Sequence, residues 1–171
     1  IKECDWSSDV CSSDLMALWR ASGDASFTFV RTVDRAAIMG VTLDPLPAGP
    51  IGRLDRANSF RVSLGSGALA SVSEARMFAG ANAAALRGPE GAWEIIGFTN
   101  AELVGGRTWR LSHLLRGLGG EEFLAARTLT AGADFVLLDE AVTPLTSSLG
   151  DLGASLTWRI GPASLDHADP A

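Results

Sequence analysis

Several residue types are scarce in this chain of 171 residues, and each scarcity narrows the chemistry open to it. There is no tyrosine, and both cysteines, Cys4 and Cys11, lie near the start together with the single lysine. The remainder therefore has no disulfide framework and no thiolate chemistry. His113 and His167 stand 54 positions apart without a cysteine near either, which argues against a zinc site. No apolar run approaches the ~20 residues of a membrane-spanning helix, so we expect no insertion into a membrane.

The first 15 residues, IKECDWSSDVCSSDL, differ in character from the rest of the chain. They have no hydrophobic period, and they lack the cationic start and the apolar run of a signal peptide. Residues 5–15 resemble the in-frame translation of a common sequencing adapter; the alternative is a natural disordered tail. We expect residues 1–15 to be a non-native, disordered leader. Without them the chain carries 13 arginines against 16 acidic residues, so its net charge becomes −3 instead of −6.

Short segments of alternating apolar and polar residues, separated by turn signals, follow this leader. In one of them the alternation directs Phe60, Val62 and Leu64 to the same face. The Gly105-Gly106 pair between two such segments predicts a tight hairpin. We expect strands over residues 26–33, 38–43, 60–64, 82–87, 92–98, 101–104, 108–115, 135–138 and 155–160.

Two segments stay open between strand and helix. Residues 79–87 are rich in alanine and also suit a short helix, although the flanking turns favour a strand over residues 82–87. Residues 121–129 suit either a short strand or a single helical turn. About eight to ten short strands predict an all-β domain over residues 16–165, built as an irregular β-sandwich or a barrel-like meander.

No group of residues in the sequence matches a catalytic or cofactor-binding motif. Residues 65–67 lack the spacing of a nucleophile elbow, and residues 117–120 lack the lysine of a phosphate-binding loop. The adjacent carboxylates at 121–122 and 139–140 would point to opposite faces of a strand rather than across one cleft. We therefore expect no catalytic, cofactor-binding or metal-binding residues, and no enzymatic activity. The net charge of −3 and the scattered arginines argue against nucleic acid as a partner.

Trp93, Trp109 and Trp158 lie within expected strands. Core packing is the simpler interpretation of all three, because a buried indole contributes a large apolar area and has one donor to satisfy. The alternative is a platform of exposed indoles that contacts carbohydrate.

Several stretches of the chain resemble a known family. They are residues 54–62 (LDRANSFRV), 79–85 (AGANAAA), 93–103 and, most specifically, the run Leu-Leu-Arg-Gly-x-x-Gly-x-Glu at residues 114–122. Together they resemble the C-terminal region of the large tail-tip protein of gene transfer agents and siphophages. That family is also described as host-specificity or putative phage tail proteins with a TIM-barrel-like domain. It usually has threonine before the final glutamate of the motif, where this chain has Glu121.

The residues of this motif also have a physical interpretation of their own. Gly117 and Gly120 permit a sharp, left-handed loop. Arg116 and Glu122 flank the loop, so we expect an exposed ion pair across its neck that contributes about 0–1 kcal/mol. Such a pair would set the shape of the loop more than the stability of the domain.

The resemblance implies a structural role. By it, the chain is a module of a tail tip or baseplate, in the tail of a virion or gene transfer agent particle made in the bacterial cytoplasm. Its implied partners are other tail proteins and host-envelope glycan. The resemblance also implies a parent several times longer, a linker at residues 166–171 and an oligomer only in that parent. The alternative function is a carbohydrate-binding β-sandwich that recognises envelope polysaccharide.

Overall fold

The computed structural model describes residues 15–22, 26–88 and 91–164, which belong to two compact units. One unit is residues 37–142, and the other combines residues up to 36 with those from 143 onward. The strands of the described residues pair antiparallel within two sheets, so the expected all-β class is confirmed. The expected leader, apart from Leu15, and the expected linker lie outside the described residues.

In chain order the strands are β1 (Met16–Ser22), β2 (Thr28–Val33), β3 (Met39–Thr42), β4 (Asp55–Leu64), β5 (Ala83–Arg87), β6 (Trp93–Gly105), β7 (Thr108–Leu118), β8 (Asp134–Leu137) and β9 (Leu156–Pro162). The helices α1 (Glu74–Phe78) and α2 (Glu122–Ala125) and a 3-10 turn (Leu149–Asp151) lie between them. Within the part of the chain that the structure describes, no helix has the length and apolar character needed to span a membrane.

Six strands of the unit 37–142 close into a barrel in the order β3-β4-β7-β6-β5-β8, and β8 pairs back with β3. The sequence left a sandwich and a barrel-like meander open, and the barrel is the observed architecture of this unit. Closure removes the free edges that an open sheet would present, because each strand pairs on both sides.

Apolar side chains from alternate strand residues fill the barrel interior. β4 directs Phe60, Val62 and Leu64 inward, as their alternation predicts, and none of them is more than 3% exposed. The core cluster consists of Leu46, Phe60, Val62, Leu64, Leu69, Ala84, Leu86, Ile96, Phe98, Leu111, Leu114 and Phe135. This core lies entirely within the barrel unit.

The hairpin predicted at Gly105-Gly106 is confirmed, and it joins β6 to β7. Both glycines have positive φ, 155° and 54°, which suits the turn because glycine has no Cβ. The separate strands expected over residues 92–98 and 101–104 are one continuous strand, β6. Asn100 keeps the ladder intact between them, because it pairs with Ser112 of β7.

The structure decides between strand and helix for the two segments that the sequence leaves undecided. Residues 83–87 form β5, which pairs with both β6 and β8, so the helix considered for residues 79–87 is wrong. Residues 122–125 form α2, so the helical alternative is the observed one there. The elements β1 and α1 have no counterpart among the expected elements. Ser73 is the N-cap of α1, and its hydroxyl accepts a hydrogen bond from the Arg76 amide at 3.3 Å.

The unit outside residues 37–142 contains a three-stranded sheet in the order β2-β1-β9. β1 is the central strand, and its Ala17 and Ala21 are only 2% and 3% exposed. The Arg20 guanidinium donates to Asp151 at 3.1 Å and lies 6.0 Å from the centroid of the Trp158 ring. β2 is an edge strand, and five of its six residues are exposed.

Candidate functional site

The motif that carries the family resemblance surrounds a buried arginine. Arg116 lies near the end of β7 and is 1% exposed. Its Nε donates to Oε1 of Glu94 at 2.5 Å, and its Nη2 donates to Oε2 of the same carboxylate at 2.8 Å. Glu94, on β6, is 3% exposed, so both charges of this bidentate pair are removed from water.

Two further hydrogen bonds attach the pair to the backbone around it. Nη1 of Arg116 donates to the Pro47 carbonyl at 2.9 Å, and the Gly117 amide donates to Oε1 of Glu94 at 3.2 Å. Arg116 therefore connects two barrel strands to the proline-rich loop of residues 44–50. The same loop is hydrogen-bonded to the segment after α2, because Leu46 and Leu129 exchange backbone hydrogen bonds at 2.8 and 2.9 Å.

The prediction of an exposed ion pair between Arg116 and Glu122 is wrong, both in the partner of Arg116 and in the exposure of the pair. The partner of Arg116 is Glu94, and the pair is buried rather than exposed. Glu122 is exposed and occupies the first turn of α2. The alternation in residues 93–98 offered a signal for Glu94, because it shares the inward face with Ile96 and Phe98.

Gly117 is the position at which the motif loop requires glycine. Its φ is +64°, and a Cβ there would lie 2.7 Å from the Cα of Glu122. Gly120 also has a positive φ, +97°, but a Cβ there would meet open space. The predicted left-handed loop is thus present, and its tight point is the contact between Gly117 and the start of α2.

Asp55, at the start of β4, completes the group that we call the buried ion cluster (Asp55, Glu94 and Arg116). Asp55 is 2% exposed, and its carboxylate accepts hydrogen bonds from the Ala57 amide at 3.1 Å, the Asn58 amide at 3.0 Å and the Asn58 side chain at 2.7 Å. Burial opposes its ionisation, but these hydrogen bonds and the charge of Arg116 outweigh burial, so the pKa of Asp55 is lowered.

Gly49 brings the members of the buried ion cluster together. A Cβ at Gly49 would lie 2.6 Å from Oδ2 of Asp55 and 3.5 Å from Cγ of Arg116, so both side chains pack against its backbone. The three charged residues come from three different stretches of the family resemblance, 54–62, 93–103 and 114–122. The fold therefore gathers separate parts of that resemblance at one place.

A small cavity of about 110 Å³ adjoins the cluster beneath α2. Its lining is mostly apolar and includes Leu86, Leu124 and Leu129, with Glu94 at one side. The volume is below the ~300 Å³ at which drug-sized ligand pockets begin. Both oxygens of Glu94 already accept hydrogen bonds from Arg116, so this carboxylate is committed to the structural pair.

The other polar side chains of the described residues do not meet the needs of a metal site. Among the described residues, no group of three or more histidine, cysteine, aspartate or glutamate side chains is placed to hold a metal ion. His113 has a φ of 55° and lies opposite the register shift between Asp55 and Ser59 of β4, and its Nδ1 lies 3.0 Å from Nδ2 of Asn100. The buried ion cluster can hold chain segments in register, and that is the role its geometry supports.

Of the three tryptophans, Trp93 and Trp109 belong to the barrel unit and Trp158 belongs to the other unit. Trp109 packs against the barrel core, as core packing predicts for it. Trp93 is 41% exposed on the outside of the barrel, and the Arg87 guanidinium lies 5.7 Å from its ring centroid. Trp158 is partly buried in the other unit. Along β6, Trp93 and the residue paired with Trp109, Leu103, are separated by ten positions, or ~33 Å of strand.

Comparison with known protein families gives a match over the barrel. The family described as Rcc01698-like, C-terminal, matches residues 37–136, which is more than half of the chain and covers all six barrel strands except the last residue of β8. The buried ion cluster and the motif loop lie inside the matched region. No curated protein matches the chain.

Proposed function

The chain belongs to the Rcc01698-like, C-terminal family, whose name is tied to gene-transfer-agent-like proteins of Rhodobacter, and on that premise we propose that it is a structural module of a phage-type tail tip or baseplate. The module packs against other tail proteins and helps to present the tip to the host envelope. The observation that carries the proposal is the family match over the barrel, residues 37–136.

The geometry of the barrel is in keeping with such a role. In its most elaborate polar site, the buried ion cluster, Arg116 is paired with Glu94, and Asp55 accepts hydrogen bonds from Asn58 inside the domain. A cluster of this kind fixes the relation between β4, β6, β7 and the proline-rich loop, and it leaves the outer surface free for contacts with neighbouring proteins. Structural modules of particles need this kind of fixed shape more than an accessible reactive group.

The proposal predicts where the protein is found. In the parent bacterium, a tagged copy of the gene should place the tag on purified particles, and immunogold labelling should mark the end of the tail. Arg116→Met, which disrupts the buried pair, should abolish incorporation, whereas Arg61→Met, at an exposed pair, should leave it unchanged. Particles without the tag, with the tagged protein remaining in the particle-free fraction, would refute the proposal.

Carbohydrate recognition is the alternative function, and one observation favours it. The Trp93 ring is exposed and has a guanidinium beside it, an arrangement that can stack on a sugar. Within the barrel unit, Trp109 does not extend this surface, because it packs against the core. Retention of the chain by immobilised envelope polysaccharide, lost in Trp93→Ala and kept in Trp109→Phe, would favour this alternative over a purely structural role.

A further inference from the structure

The sheet unit has a groove along its edge strand β2. The groove has a volume of about 460 Å³ and is lined by Phe29, Val30, Arg31, Thr32, Pro144, Leu145 and Thr146. This volume lies within the range of ~300–1,000 Å³ that is typical of binding pockets. The groove is bounded by β2 on one side and by residues 144–146 on the other.

Among the described residues, nothing pairs with the backbone of β2 on the side that faces away from β1. β2 pairs only with β1, and no backbone hydrogen bond connects its other edge to any described residue. An edge strand in this state presents a row of unpaired N–H and C=O groups. Six residues span ~20 Å, which is long enough to pair with a short extended peptide.

The side chains of the groove specify what such a peptide would carry. Phe29, Val30 and Leu145 are 55%, 37% and 54% exposed, so apolar area is available for burial. The register of β1 and β2 shifts at Val30, and this bulge turns the Val30 side chain into the groove. Arg31 is the charged residue of the lining, and it has no ion pair with any described residue.

The opposite edge of the sheet is less suited to pairing. β9 ends in Gly161-Pro162, and proline cannot donate a ladder hydrogen bond. The Arg159 guanidinium of β9 is stacked 4.1 Å from the centroid of the Phe27 ring, so its side chain is already engaged. β2 has neither proline nor glycine, so each of its residues has a backbone N–H that can donate to a ladder.

We propose that β2 accepts an extended peptide of a partner protein as a fourth strand, and that this peptide alternates apolar and acidic residues. The backbone ladder supplies the affinity, the apolar residues cover Phe29, Val30 and Leu145, and a carboxylate pairs with Arg31. The inference rests on the proposed function, since it treats the chain as a module that packs against other proteins.

The test uses the full chain and three labelled seven-residue peptides in fluorescence anisotropy. One peptide alternates aspartate and valine, one alternates lysine and valine, and the third is the acidic peptide with every second backbone nitrogen methylated. We expect the acidic peptide to bind at least tenfold more tightly than the other two. Equal binding of the methylated peptide would overturn strand addition, because methylation removes the donors of the ladder.

Charge reversal locates the binding site. Arg31→Glu should weaken binding of the acidic peptide at least tenfold and improve binding of the lysine peptide. Arg53→Glu, the same change at an exposed arginine of the barrel unit, should alter the affinity less than twofold and controls for net charge. An equal effect of both variants would overturn the assignment to β2.

Sedimentation of the chain alone tests whether a second copy of the same chain pairs with the β2 edge. A dimer that excludes the acidic peptide would assign β2 to a second copy and overturn the proposal. These outcomes are independent of the particle experiment. Failure of peptide binding in a protein that still locates to tails would refute this inference alone, and peptide binding by a protein absent from particles would refute the proposed function alone.

Discussion

At the scale of single residues, the pair of Arg116 and Glu94 determines what the motif does. Removing two charges from water costs several kcal/mol each, and only close geometry with further hydrogen bonds offsets that cost. Both conditions are met, because the pair is bidentate and also binds the Pro47 carbonyl and the Gly117 amide. Such a pair fixes how β6, β7 and the proline-rich loop are arranged. Removing one of the two side chains leaves the other one buried and charged.

Arg116→Met should therefore destabilise the protein strongly. We expect the free energy of unfolding to fall by about 3–5 kcal/mol, as measured by urea denaturation, because Glu94 stays buried without its cation. The matched control is Arg61→Met, which removes a bidentate but exposed pair with Asp44 and should change the urea midpoint little. Similar losses in the two variants would contradict the importance assigned to burial.

Asp55 makes stability depend on pH. Its pKa in the folded protein is lowered from 3.8, so its ionised form favours folding. This contribution is fully present above the ordinary pKa and is lost as the pH falls through the folded value. Urea denaturation should show that the difference in stability between the unaltered chain and Asp55→Asn is larger at pH 7 than at pH 2.5.

Comparing the unaltered chain with Asp55→Asn removes the contribution of other carboxylates to the pH dependence of stability. The pKa values of Asp44 and Asp151 are also lowered, by hydrogen bonds with Arg61 and Ser148 respectively, but both proteins retain them. The pH dependence that remains in the difference therefore belongs to Asp55. A difference that does not change with pH would contradict the lowered pKa.

At the scale of elements, β3 closes the barrel with only four residues, and Gly40 makes this closure tight. A Cβ at Gly40 would overlap the Ser63 carbonyl oxygen and lie 3.1 Å from the Cα of Leu64, both part of the β4 backbone. Backbone atoms of a paired strand cannot move aside without breaking the ladder. Gly40 is therefore needed for space, since no positive φ marks this position.

Gly40→Ala should lower the free energy of unfolding by about 3 kcal/mol in urea denaturation. Amide exchange should become faster in β3 and β8, because their pairing depends on the closed barrel. Gly65→Ala is the control, since the nearest atom to its Cβ would be the Met39 carbonyl oxygen at an ordinary 3.7 Å. Unchanged stability of Gly40→Ala would mean that β3 can separate from β4 without loss.

The sequence predicts those elements whose pattern is local. The alternation over residues 60–64 predicts the second half of β4, and Gly105-Gly106 predicts the turn of the β6–β7 hairpin, whereas residues 55–59 of β4 carry no such pattern. β1 was missed because Met16, Leu18, Ala17 and Ala21 place apolar residues on both of its faces, which removes the alternation. The partner of Arg116 was missed because Glu94 is 22 positions away, and only the register of β6 and β7 brings the two together.

At the scale of the whole molecule, the two units differ in how much apolar structure they bury. The core cluster and the buried ion cluster lie entirely within residues 37–142. In the other unit, the described hydrophobic residues classed as buried are Ala17 and Ala21, both small. Because burial of apolar area is the main favourable term in folding, the barrel should carry most of the stability of the chain.

Residues 37–142 produced alone should therefore fold. A domain of this size, 106 residues, can bury a sufficient core, and closure of the barrel does not use any strand of the other unit. We expect a cooperative urea transition, a midpoint close to that of the barrel transition in the full chain, and the same loss on Arg116→Met. In the full chain, amides of β2 and β9 should exchange faster than those of β4 and β7. A shortened chain that binds a hydrophobic dye and unfolds without cooperativity would show that the barrel depends on residues outside it.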